Sequence, residues 1–231
     1  QQQILDSGAS ESELEFWTQT LEGLAEEMPL PTDRSRPAHP TGNAGTVRAT
    51  VDPHVGNALR TIADAHGASP FMVLHAATAA ALSRFGAGED IVVGSPASGR
   101  SDSALDDLVG FFVNTVVLRT DVSGNPTFGE LVERVRDADL KAMEHQELPF
   151  QLLVEKLAPA RVDGRNPLFQ VMLSYLQRPA VLPDFLGIPT EWEPLSNVRA
   201  KFDLTITYVD APDTGEISIN VEYATDLFDE A

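Results

Sequence analysis

Two stretches near the C-terminus of this chain repeat with a period of two, and that period restricts the possible folds more than any other feature. FDLTITYVD places Phe202, Leu204, Ile206 and Tyr208 on one side, and EISINVEY does the same with Ile217, Ile219, Val221 and Tyr223. APDTGE between them supplies a turn, so residues 202–223 read as a β-hairpin with one wetter face. Just upstream, LFQVMLSYL (168–176) is apolar without alternation, as a central strand covered on both faces would be. Shorter strand signals lie at GTVRATVD (45–52), EDIVVGSPASGR (89–100) and NTVVLRTD (114–121).

Helical signals alternate with these strands. Ser10 and Glu13 have capping-box spacing ahead of Leu14, Trp17, Leu21 and Leu24, which share a helical face. Asp52-Pro53 and Ser69-Pro70 each pair an N-cap with a first-turn proline. The helix opened by Ser69 is apolar nearly all round, which predicts burial on most sides. Thr127 and Glu130 form a second capping box, and PFQLLVEKL (149–157) makes a short amphipathic helix. A proline-rich connector occupies 28–45, and residues 1–11 are expected to be a poorly ordered leader or linker. Helices alternating with strands, plus one antiparallel hairpin, predict an α/β fold in which a mixed β-sheet is layered with helices.

Composition then removes several functions. A chain of 231 residues with 42% apolar content supports a sizeable core. Its net charge of −19 repels phosphate backbones and anionic lipid, so neither nucleic acid nor a membrane is an expected partner. There are no cysteines, which excludes disulfides, thiolate nucleophiles and Cys-ligated metals and fits a cytoplasmic location. No apolar run approaches the roughly 18 residues of a membrane span.

Obvious chemistry is scarce. The five histidines, His39, His54, His66, His75 and His145, show no metal-ligand spacing, and no metal is expected. His75 falls inside the nearly all-apolar helix and reads as a satisfied core histidine. The chain has no G-x-S-x-G elbow, P-loop or dinucleotide fingerprint. EHQELPF (144–150) sets His145 between two glutamates, either as a base with orienting carboxylates or as the place where one helix ends and another begins. On residues alone there is no complete catalytic constellation.

Three strings, in order and spacing, resemble the later core motifs of condensation domains from non-ribosomal peptide synthetases. They are VGFFVNTVVLRTD (109–121), HQELPF (145–150) and RNPLFQVML (165–173). FWTQTLEGL, LPTDRSRP, EDIVVGSPASGR, KFDLTITY and EYATDLFD also look like segments of that family, so the resemblance runs from about residue 12 to the end. It implies a chloramphenicol-acetyltransferase-like fold, in which two α/β lobes meet around a tunnel. Residues 12–231 would be the C-terminal lobe, with the hairpin at about 202–223 as an arm toward the other lobe.

The family joins a donor acyl or peptidyl thioester to an acceptor aminoacyl amine. Both ride on phosphopantetheine arms of carrier proteins, and no cofactor is bound. The implied partners are the N-terminal lobe, donor and acceptor carrier proteins and a neighbouring adenylation domain. The family's HHxxxDG motif, which carries its catalytic histidine, is absent from this sequence, so no catalytic residue is expected in this lobe.

The resemblance places Asn114 near the reaction centre, able to orient the nucleophile or meet oxyanion charge; a strand-edge amide bonding the backbone is the alternative. Ser95, Gly99 and Arg100 are the expected contacts to a pantetheine arm. His145 and Pro149 would close one helix and start the next, Arg165 and Asn166 would brace the strand after them, and Asp203 would pair with Lys201. A non-catalytic module that recruits a tailoring enzyme is the other reading of the same resemblance.

Overall fold

A computed structural model describes residues 9–100, 103–105, 107–157, 162, 164–178, 188 and 199–230. Its described helices are α1 (Ala9–Thr20), α2 (Pro53–Ala65), α3 (Pro70–Leu82), α4 (Phe128–Glu144) and α5 (Phe150–Leu157). The strands are β1 (Ala44–Val51), β2 (Asp90–Ala97), β3 (Asn114–Asp121), β4 (Val171–Gln177), β5 (Leu204–Ala211) and β6 (Glu216–Ala224). Residues 1–8 of the expected leader lie outside the described residues, whereas residues 9–11 already belong to α1. Ser10 therefore sits inside that helix rather than ahead of it; its side chain lies outside the described residues.

The other starts form as their sequences dictate. Asp52 accepts a hydrogen bond from the His54 N–H at 2.8 Å, with Pro53 in the first turn. Ser69 accepts from the Met72 N–H, and Thr127 and Glu130 close a reciprocal box. Beyond Leu82 the helix loosens into a π-turn, Ser83–Ala87, which ends through Gly86 at a φ of 103°.

The six strands lie in the order β1-β6-β5-β4-β2-β3. β4 runs parallel to both β2 and β5, and the remaining neighbours are antiparallel. The apolar run at 168–176 thus becomes an interior strand, as its lack of alternation required. Register puts Leu204, Ile206 and Tyr208 opposite Tyr223, Val221 and Ile219, so both alternating sets share one face. That face carries α3: the Tyr208 hydroxyl meets Thr78 of α3 at 2.9 Å. α2 and α4 pack against α3 through Ala63, Met72, Val73, Ala76, Leu131 and Val135.

The hairpin does not project from the lobe as an arm. β5 is zipped to β4 and β6 to β1 along their lengths, so both strands are interior to the sheet. A strand whose N–H and C=O groups are paired on both sides has none left to reach elsewhere.

On the opposite face, α1 covers only the β2–β3 end. Arg119 of β3 donates to the carbonyls of Thr20 and Glu22, both at 2.8 Å. Phe169 lies against Gly94, where an added Cβ would come within 2.2 Å of its ring; only glycine permits that approach. Among the described residues no helix is long and apolar enough to cross a membrane.

Buried polar groups tie the layers together. His75 is fully buried, with Nδ1 3.1 Å from both oxygens of Asp139 on α4 and Nε2 3.4 Å from Thr120 on β3. The Asp–His–Thr order invites a catalytic reading, but all three are sealed in the core at 0–1% exposure. Asp210 accepts from Arg60 of α2 and from the Tyr175 hydroxyl, the latter at 2.6 Å. Burial, reinforced by that hydrogen bond, pushes the Tyr175 hydroxyl from its ordinary 10.0 up to about 12. A raised tyrosine pKa means the unfolded chain releases its proton first. The contribution is complete below about 10 and disappears as pH climbs through about 12. Denaturation across this window is expected to show a decline that Tyr175→Phe makes shallower, with tyrosinate absorbance following the same titration.

Candidate functional site

Parallel strands β2, β4 and β5 all end on one edge of the sheet, and β3 begins there because Ala97 pairs with Asn114. This edge gathers Gly99, Arg100, Asn114 and the 145–150 turn. Arg165, Asn166 and Asp203 lie at the other edge, where β4 and β5 start. The anticipated residues therefore form two groups separated by the length of the strands.

Asn114 is saturated within the chain. Its Nδ2 donates to the carbonyls of Gln146 and Leu148 at 2.7 and 2.8 Å, and its Oδ1 accepts from the Phe150 N–H at 3.1 Å. A carboxamide has only two N–H donors, so none remains for an oxyanion. The expectation that Asn114 stabilises developing charge is corrected: it braces the turn and caps α5 from a neighbouring strand.

His145 closes α4 as its C-cap residue. Its ring stacks on Phe16 at 3.7 Å, its Nδ1 lies 2.9 Å from Glu13, and its carbonyl accepts from the Trp17 indole at 3.1 Å. All of these partners belong to α1, while Glu144 and Glu147 are exposed and do not engage the ring. Pro149 sits immediately before α5, and its carbonyl accepts from Leu152 and Leu153. EHQELPF is therefore a helix stop and restart, not a base with its carboxylates.

The expected pantetheine contacts divide. Ser95 is 3% exposed and shares the helix-covered face with Val93, so it packs in the core and lines no channel. Gly99 has a φ of 61°, and a Cβ there would lie 1.9 Å from the Phe112 carbonyl oxygen. Its smallness serves the crossing of its own loop. Arg100 stacks over Phe112 at 4.3 Å and donates from Nη2 to the Leu108 carbonyl at 2.8 Å. Its Nη1 is buried without a hydrogen-bond partner, so Arg100 retains a free donor.

At the opposite edge, Asp203 does not pair with Lys201. Arg36 from the proline-rich connector takes it in a two-point contact at 2.9 and 2.5 Å. A guanidinium matches a carboxylate with two parallel N–H groups, which an ammonium cannot do. Arg36 also engages Glu27, and Arg165 reaches Glu26 and Glu27. Burial is the largest single influence on the Glu27 carboxyl and pushes it up, but the contacts from Arg36 and Arg165 together outweigh it and hold the carboxyl below its ordinary value. Asn166 donates to the Lys201 carbonyl at 2.5 Å, and Gln170 links the Asn166 carbonyl to the Met28 N–H. A cleft of about 320 Å³ opens here between Arg36, Pro40, Arg165, Lys201 and Asp226.

One polar surface went unnamed at the residue level. On β5 and β6 the positions between the apolar ones are Thr205 and Thr207, Ser218, Asn220 and Glu222, and register sets them together on the face away from α3. The alternation that marks a wetter face was the available signal.

Comparison with known proteins extends the picture. Residues 1–231 match the condensation-domain family. CymA of Salinispora arenicola, described as a nonribosomal peptide synthetase, is 47% identical over 95% of this chain, which spans 3% of that protein. A dimodular nonribosomal peptide synthase of Bacillus subtilis is 45% identical over 94% of the chain and is spanned to 9%. The X-domain from teicoplanin biosynthesis superposes with a TM-score of 0.89 at 32% identity, covering 99% of this chain and 53% of that one. The X-domain in complex with OxyB, also from teicoplanin biosynthesis, gives a TM-score of 0.87 at 33% identity, covering 99% and 52%.

Replacing Asn114 by alanine leaves two carbonyls and one N–H of the 146–150 turn without their partner. A loss of about 2–4 kcal/mol in stability is expected, measured by urea unfolding. Asn114→Asp, which keeps the acceptor but neither donor, is expected to recover only part of it.

Proposed function

Because the chain belongs to the condensation-domain family of nonribosomal peptide synthetases, we propose that it is the C-terminal lobe of an enzyme forming an amide between two carrier-tethered substrates. In that reaction the acceptor's amine attacks the donor's thioester carbonyl. A C–N bond forms, the C–S bond breaks, the amine nitrogen loses a proton and the pantetheine thiol leaves with one. Holding amine and thioester together removes much of the entropic barrier. Phosphopantetheine arrives on donor and acceptor carrier proteins as part of the substrates, and the N-terminal lobe and an adenylation domain complete the partner set.

The observation that carries this reading is 45–47% identity to two synthetases over 94–95% of the chain. Within the lobe, the described side chains point to architecture rather than acid–base work: His145, Asn114 and Asp203 are each satisfied by neighbours. The lobe's part is then to form one wall of the tunnel, with the catalytic histidine supplied by the other lobe. A second reading, a condensation-like module that recruits a tailoring enzyme, draws support from the likeness to the X-domain solved with OxyB.

An amide-formation assay with loaded donor and acceptor carriers separates the two. Product is expected from the two lobes joined and none from this chain alone. Carriers that bind to joined lobes without ever yielding amide would replace the first reading with the second.

A further inference from the structure

Two exposed cations flank the cleft of about 320 Å³ at the edge where β4 and β5 start. Lys201 lines it, and the hydrogen bond from Asn166 engages the Lys201 carbonyl, leaving the ammonium aside. Arg199 reaches its wall, with Nη1 3.7 Å from where a Cβ on the lining Gly42 would stand. Among the described residues neither side chain forms an ion pair.

The carboxylates that line the cleft are already held. Arg36 takes Asp203 at two points. Asp226 accepts from the Thr41 hydroxyl at 2.9 Å and from the N–H groups of Thr41 and Gly42 at 2.7 and 3.3 Å. The Thr41 hydroxyl, with those two N–H groups, keeps the Asp226 carboxyl below its ordinary value. Arg165 adds positive charge to the wall; its side chain is 9% exposed and is held by Glu26 and Glu27, neither of which lines the cleft.

Much of the remaining lining is apolar and fixed. Phe202 stacks on the core ring of Phe169 at 5.5 Å, and Leu227 is buried beside it in the lining. Gly164 meets Pro40 so closely that an added Cβ would lie 2.0 Å from the proline Cγ. The volume falls at the small end of ligand sites, which run from about 300 Å³ upward. Apolar walls with a cationic rim complement a compact molecule divided the same way, an apolar body carrying one negative charge.

We propose that this cleft binds a small organic carboxylate, its apolar body against Phe202, Leu227 and Pro40 and its charge between Lys201 and Arg199. The cleft lies at the opposite edge of the sheet from the 145–150 turn, so its ligand is independent of the amide-forming reading.

The test is an NMR titration of the two-lobe protein with three probes. Hydrocinnamate has both body and charge, hydrocinnamamide the body alone, and inorganic phosphate the charge alone. Hydrocinnamate is expected to bind with a Kd of about 1 mM or tighter, at least about fivefold more tightly than its amide. That preference is expected to vanish in the Arg199→Gln/Lys201→Gln double variant. Both positions are exposed, so its unfolding midpoint is expected to match wild type.

Arg84→Gln/Lys156→Gln removes the same charge from exposed positions outside the cleft and is expected to keep the preference. A preference lost equally in both double variants reports net charge and overturns the inference. So does a preference that survives in Arg199→Gln/Lys201→Gln, or no binding of hydrocinnamate by wild type. Phosphate bound as tightly as hydrocinnamate also overturns it, because the cleft would then take a bare anion only.

Discussion

Between Glu144 and Phe150 the chain has to stop one helix, reverse and begin another while pressed against a sheet. The turn is half-buried around the buried Leu148, so backbone groups turned inward need partners within the chain. Asn114 provides three of them from the first position of β3. Trp17 and Glu13 of α1 hold the His145 end. One amide therefore fixes α4, α5 and β3 relative to each other, and His145 adds α1. The strand β3 is an edge strand, and this brace, together with Arg119 on the α1 carbonyls, covers what would otherwise be an open margin.

The second organising constraint is charge. In a chain of net −19, several arginines bridge acidic groups from different elements. Arg36 does so from an irregular segment, joining Glu27, Asp203 and the Gly164 carbonyl, and thereby straps the connector across the starts of β4 and β5. Arg60 does the same between α2 and β5.

Function follows from which groups remain free. Asn114, His145 and Asp203 are occupied in holding elements together, so the family's shared strings in this lobe are largely statements about architecture. Among the described residues, the buried side-chain atoms left without a hydrogen-bond partner are the Arg100 Nη1 and the Glu13 Oε2.

The sequence by itself determined the layering. Period-two stretches at 204–210 and 217–223 made a hairpin, the unbroken run at 168–176 an interior strand, and Ser69-Pro70 and Thr127–Glu130 helix starts, because these signals act over a few residues. The satisfied state of His75 was equally legible from its place in an apolar helix. What only the tertiary structure decided were the long-range partners. Arg36 reaches Asp203 across 167 residues of chain and Asn114 reaches Leu148 across 34, separations over which local pattern carries no information. Lys201 looked like the partner of Asp203 because it was near in sequence. The folded chain instead brought a guanidinium whose planar fork fits a carboxylate at two points, and geometry of that kind exists only once the strands are in register.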